Sequence, residues 1–337
     1  MIKSYIISIL VLSLIALSPL ADAGCSCSGG TWDPSAFLNL ELGNAQPTQT
    51  GSTPNSDGAA PESGSQKILN RAASFPNGEL LKPMKSVSSS DVVIDVSNTD
   101  SYTASHIKDA VWIPTRNFLD DEGKLKSVQE LAGILGDAGV SRDDSIVLYA
   151  GKESSGEAEF AFLVLKYLGH EDVTLLDGSL TDWKSSGLPV DSLHNKRPGV
   201  EYKPDVVSRI LADYEYVKSG QARILDVRPF VEFGKGRIPG SSAMDPSNVI
   251  KGDKIKYGDD LGIVFSRLDR DTPIVVYSDD YSRSSLVWYT LQLMGYEASI
   301  YDWEDWKAHQ ASSDKEITSP ASTKDSDGSR YTKLGRT

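Results

Sequence analysis

The chain has 337 residues, 39% of them apolar, and a formal charge of -13 from 47 acidic and 34 basic residues. That is enough for two domains that each bury a core. No basic stripe is present, which argues against a nucleic-acid or anionic-membrane surface, since such surfaces neutralise phosphates with Lys and Arg; the acidity reads as a solubility feature.

At the N-terminus, Lys3 precedes an uncharged apolar run over residues 4–21, followed by Ala21-Asp22-Ala23, the small-x-small pattern of a signal-peptidase site. Residues 1–23 are therefore expected to be a signal peptide, and the mature chain to be exported, periplasmic or extracellular. Two other fates stay open. The run is close to the length of a membrane span, so an uncleaved anchor fits, and Ala23-Gly24-Cys25 resembles the end of a lipobox, with Asp22 where that pattern prefers an aliphatic residue. Contact with a membrane is expected through this segment alone.

The two cysteines, Cys25 and Cys27, both follow the signal directly, so no disulfide staples the folded body. A Cys-x-Cys pair offers a thiol or lipid site, or a strained local disulfide. With His106, His170, His194 and His309 all distant in sequence, no metal site is expected. A short apolar stretch, TWDPSAFLNLEL over 31–42, reads as docking on the body or on a partner. Residues 43–66 are rich in Gly, Ser, Thr, Pro and Asn and read as a flexible linker, so that 24–66 forms a Cys-x-Cys segment with its tether. At the other end, 311–337 is polar and expected to be disordered.

Between linker and tail the sequence repeats itself. VVIDV, ending at Val96, matches ILDVR, ending at Arg228, with Asp95 and Asp226 offset by 131; His106-Ile107 matches Arg237-Ile238 at the same offset. IVLYA, ending at Ala150, matches IVVYS, ending at Ser278, at 128, and Trp183 matches Trp306 at 123. A slowly drifting offset is what two copies of one domain with small loop indels produce. The copies are placed at 67–192 and 200–310.

Each copy reads as α/β. The runs VVIDV, IVLYA, ILDV and PIVVY are short and β-branched without polar alternation, the pattern of strands covered on both faces of a parallel sheet flanked by helices. Helical spacing is predicted over 127–138, 157–168, 211–218 and 284–294. The loops at the strands' C-terminal ends then share one face, where a site belongs. Residues 278–283, between a strand and a helix, read as a loop whose backbone N–H groups form an anion cradle.

With ILDVRPFVEFGKGRIPGSSAMD and PIVVYSDDYSRSSLVWYTLQLMGYEASIYDWEDW, the second copy resembles the rhodanese family, and VIDVSNTDSYTASHIKDAVWIP with its downstream segment resembles it in the first. The tandem arrangement is similar to that of the thiosulfate and mercaptopyruvate sulfurtransferases. That resemblance implies two tandem rhodanese-like domains and a loop cysteine that carries a persulfide. Here the cysteine positions are Ala150 and Ser278, so neither loop holds the intact nucleophile. Ser278 is expected to serve as a capping or loop-stabilising hydroxyl. The candidate cradle comprises Ser278, Asp279, Asp280, Tyr281, Ser282 and Arg283, with Arg283 where the family often has a basic residue and the two aspartates opposing an anionic donor. In the first copy Gly151 to Ser155 keep the loop length but end in Ser155, not Arg.

The expectation is thus a non-catalytic, exported tandem rhodanese protein binding a cell-surface protein or a small sulfur-containing anion. The alternative is a sulfurtransferase in which Cys25 or Cys27 on the tether supplies the thiol. No bound cofactor is implied.

Overall fold

The computed structural model describes residues 71–318, with side chains described up to 312. The expected signal peptide, Cys25 and Cys27, the linker and the tail beyond 318 lie outside the described residues.

In the first half, β1 (Leu81–Pro83), β2 (Asp91–Asp95), β3 (Val111–Trp112), β4 (Ser145–Tyr149) and β5 (Val173–Asp177) form a parallel sheet in the order β1-β5-β4-β2-β3. Around it lie α1 (Thr99–Ala104), α2 (Val128–Asp137), α3 (Glu157–Tyr167) and α4 (Leu180–Ser185). The second half contains α5 (Tyr214–Lys218), β6 (Arg223–Asp226), α6 (Phe230–Lys235), β7 (Ser242–Ala243), α7 (Gly258–Val264), β8 (Ile274–Ser278), α8 (Tyr281–Leu293), β9 (Ala298–Asp302) and α9 (Trp303–Thr318). Its sheet is also parallel, ordered β9-β8-β6-β7. Among the described residues no helix is long and apolar enough to cross a membrane.

The repeat holds down to single hydrogen bonds. In register, Tyr149 lies opposite Asp95 and Tyr277 opposite Asp226. The Tyr149 hydroxyl accepts the Ile107 N–H at 2.9 Å, and the Tyr277 hydroxyl accepts the Ile238 N–H at 3.2 Å.

Helices α3 and α8 lie between the two sheets, and one buried cluster runs through both halves, from Ile94 and Phe160 to Trp288 and Leu225. This placement explains their sequences. Ala158 to Leu165 and Ser284 to Leu291 are buried without interruption, so neither helix shows a polar face. Across the seam Phe162 packs edge-on against Tyr289, with ring centroids 5.0 Å apart. Gly156 precedes α3 with φ +73, and a Cβ there would meet the Ser282 carbonyl oxygen at 2.2 Å. Two helix N-termini therefore touch backbone to backbone.

Three features mark the ends of the two halves. Residues 200–207, placed at the start of the second copy, run across the first: Val200 donates to the Gly136 carbonyl, Asp205 to Leu168 and Val207 to Tyr167, each at 2.9 Å. The arm before β1 belongs to both halves, since the Asn77 side chain donates to the Gln292 carbonyl at 2.7 Å and the Tyr289 hydroxyl donates to the Leu80 carbonyl at 2.9 Å. In each case unpaired carbonyls at helix ends are met by passing chain. The tail expected from 311 begins as helix, because α9 continues to Thr318 and each added residue gains an intrahelical bond.

Gly156→Ala tests the seam. It is expected to cost at least about 2 kcal/mol, the scale of a strained backbone plus overpacking, read as a lowered urea midpoint; an unchanged midpoint would place the helices further apart than described.

Candidate functional site

The interior strand β8 delivers Ser278 to the C-terminal end of the second sheet, 5% exposed and opposite Asp302 on β9. Only Asp279 and Asp280 separate it from α8, which begins at Tyr281. The loop expected over 278–283 is thus shorter, and the reason is Asp280. Its carboxylate accepts the Arg283 N–H at 3.0 Å and caps the helix, which draws 281–283 into the first turn. Ser278 is not the cap. Its hydroxyl accepts the Asp280 N–H at 3.2 Å and Arg283 Nη1–H at 3.3 Å, and donates to Asp279 Oδ1 at 3.3 Å.

Arg283 is held by Asp279, with Nη1 2.9 Å from Oδ1, and both side chains keep partial exposure, 31% and 40%. Four of the six predicted residues, Ser278, Asp279, Asp280 and Arg283, therefore meet. The other two face the seam: Tyr281 stacks on Phe160 of α3 at 5.3 Å, and the Ser282 carbonyl lies against Gly156. Burial pushes the Tyr281 phenol well up. Asp302 is also pushed up by burial, with Glu304 and Asp305 adding to the effect.

Behind Ser278, Arg228 makes a two-pronged pair with Asp226, Nη2–Oδ2 2.6 Å and Nε–Oδ1 3.0 Å. Both are buried. The Tyr277 hydroxyl donates to the same carboxylate, and Arg228 lies 3.7 Å from the Trp303 ring centroid. Burial, then Asp226, raise the Tyr277 phenol to about 12. The chemistry available to Ser278 is limited by this set, since the one base its hydroxyl meets is the Asp279 carboxylate, paired with Arg283 and far too weak to ionise an alcohol.

Loop 1 is built differently. Helix α3 starts at Glu157, seven residues after Ala150, whereas α8 starts three after Ser278, so the two loops do not share a length. In the extra turn Glu153 points inward. Its Oε2 takes Arg71 Nη2–H at 2.8 Å from the N-terminal arm and the Ile255 N–H at 3.1 Å from the second half. Arg71 Nε also lies 2.7 Å from Asp177 Oδ1, an ion pair in which the N–H is not aimed at the oxygen. Further contacts close the loop, Ser154 N–H on the Asp253 carbonyl at 3.2 Å and Lys254 on Asp182 at 2.9 Å. Loop 1 is thus a joint between arm, first half and second half. Arg71 and Glu153 were missed because a lone Arg in a polar stretch and a Glu in a loop carry no burial signal.

A cleft of about 1170 Å³ opens at the far end of the sheets, bordered by Pro273, Ile274, Glu297 and Ala298. It lies where the strands begin, away from the loops.

The comparisons with known proteins agree with this geometry. A family model for the Rhodanese-like domain matches residues 77–186 and 205–309. The chain belongs to the rhodanese-like family, as a tandem. A Mycolicibacterium smegmatis relative with the provisional name thiosulfate sulfurtransferase is 28% identical over 225 residues, covering 59% of this chain and 81% of its own. The Thermus thermophilus "Sulfur carrier protein TtuD" is 29% identical over 231 residues, covering 58% and 77%. Escherichia coli SseA, a 3-mercaptopyruvate sulfotransferase of solved structure, superposes with a TM-score of 0.60 at 20% identity over 66% of this chain and 97% of that one, a likeness of fold. This tandem rhodanese is therefore a protein of the sulfurtransferase family.

Two substitutions separate the roles of the loop residues. Asp280→Ala is expected to lower stability by about 1 kcal/mol, the usual loss of a helix cap. Arg71→Ala should cost about 3 kcal/mol or more, because it strands Glu153 and Asp177 as buried carboxylates; denaturant unfolding of both variants checks the order, and a smaller loss at Arg71 would remove the joint.

Proposed function

We propose that this tandem rhodanese is an exported, non-catalytic member of its family whose second loop receives a partner at the cell surface or a small sulfur-containing anion. The observation that carries the reading is the state of that loop. Ser278 stands at the nucleophile position implied by the family motif, and its hydroxyl is tied to Asp279, Asp280 and Arg283. An alcohol oxygen has no counterpart to the persulfide cycle.

The loop nevertheless retains one exchangeable contact. The Asp279–Arg283 pair is partly exposed, and such pairs contribute about 0–1 kcal/mol, so an incoming anionic group displaces Asp279 from the guanidinium at little cost. Two features favour a protein-borne carboxylate over a free anion. The surrounding Asp280, Asp302, Glu304 and Asp305 repel small diffusing anions, and α6, which leaves the same end of the sheet, exposes Phe230 and Val231 at 75% and 67%.

A second reading keeps catalysis, with Cys25 or Cys27 as the sulfur carrier. Its support is that Arg71, on the arm that follows the linker in sequence, pairs with Glu153 of loop 1, and a linker of about 40 residues with Gly/Ser-rich composition has a typical reach near 35 Å.

A thiosulfate-to-cyanide sulfur-transfer assay distinguishes the two. The wild-type protein is expected to show no turnover. Ser278→Cys alone should stay near background while Asp279 occupies Arg283, and Ser278→Cys with Asp279→Ala should exceed it by up to about fivefold, the effect of removing up to about 1 kcal/mol of competing charge. Wild-type turnover that disappears on changing Cys25 and Cys27 to Ser would replace the non-catalytic reading with the second.

A further inference from the structure

Loop 1 has Ala150 where loop 2 has Ser278, and a small space remains beside it. Tyr149, Ala150, Glu153, Ala158, Glu159 and Gly178 border that space, whose volume of about 10 Å³ admits the centre of one water molecule. Glu159 and Glu153 are 1% and 8% exposed. Both oxygens of Glu159 and Oε1 of Glu153 lack a hydrogen-bond partner, a condition that buried polar groups rarely keep. Glu159 has nowhere else to turn, since α3 is enclosed between the two sheets.

We propose that the space beneath Ala150 is a binding site for a single water molecule, which bridges the Glu159 carboxyl and Glu153 Oε1. The size fits one water, and the three open oxygens supply the two to four polar partners that a buried water needs. A hard cation of the calcium type wants six or more oxygens. Among the described residues no group of three or more His, Cys, Asp and Glu is placed to hold a metal.

The charges around Glu159 set the direction of the hydrogen bonds. It faces Glu153 from the loop, Arg71 from the arm, Glu157 on its own helix and Tyr289 from α8. Burial, then the Glu153 charge, push Glu159 up to about 8, against its own N–H, which lies near without hydrogen-bond geometry. The neutral carboxyl therefore donates its proton to the water, and the water donates to Glu153 Oε1. Glu153 Oε2 is already occupied by Arg71 and the Ile255 N–H. The water thus completes the joint that holds the arm and both halves together.

Crystals of the full chain grown near pH 6 test the site directly. Density for one water within hydrogen-bonding distance of both carboxyls is expected, and Ala150→Ser should put its hydroxyl in that place. An empty space, a metal ion, or a direct bond between the two carboxyls would overturn the proposal. Infrared spectroscopy supplies an independent reading: a protonated-carboxyl band is expected at pH 6 and lost in Glu159→Gln. The sign of the pH effect follows from linkage. Folded Glu159 keeps its proton to about pH 8 while the unfolded carboxyl releases it near 4.5, so the folded state binds more protons between those values and Tm falls as pH rises through them. Glu159→Gln should flatten that fall; an equally steep fall in the variant, with no band lost, would also overturn the proposal. Ala150→Ser retains Glu159 and reads the site crystallographically even if the Gln variant does not fold.

Discussion

The close approach of α3 and α8 at their N-termini governs the rest of the molecule. Ser282 presents its carbonyl where any side chain at position 156 would stand, so only a glycine lets the two helices meet. Because they meet, both are enclosed between the sheets, the two halves share one continuous core, and loops 1 and 2 come together at a single end. A tandem of this kind is not two beads on a string. Each half supplies part of the other's interior, and loop 1, with Ala150 at its start, lies at the junction.

That position explains how the two loops diverged. Loop 1 lies under the N-terminal arm and against residues 253–255 of the second half, so an inward Glu153 finds Arg71 and a backbone N–H waiting. That carboxylate faces the joint and not solvent. Loop 2 remained at the surface, where Asp280 caps α8 and Asp279 engages Arg283. One loop became architecture and the other kept an accessible guanidinium.

Much of this was legible in the residues. The strand runs are β-branched and uninterrupted because both faces of each sheet are covered, and the structure places strands at all four of the predicted runs within two residues at each end. Asp95, Asp226, Tyr149 and Tyr277 recur because the same hydrogen bonds recur. The loop length was misjudged where a capping signal was present: an aspartate before a helical run marks the cap, and Asp280 is that aspartate. The arm, residues 200–207 and Glu159 were opaque for another reason. Their partners are distant in sequence, and a Glu within a helical pattern ordinarily faces water.

The meeting of two helix N-termini also has an electrostatic consequence. Each helix end carries roughly half a positive charge, and the seam brings two such ends into backbone contact. The residues that flank them are Glu153 and Glu157 on one side and Asp279 and Asp280 on the other. The acidity of the loops, adverse for an incoming anion, thereby serves as a built-in counter-charge: the protein carries, as its own side chains, the negative groups that two converging dipoles would otherwise draw from solution.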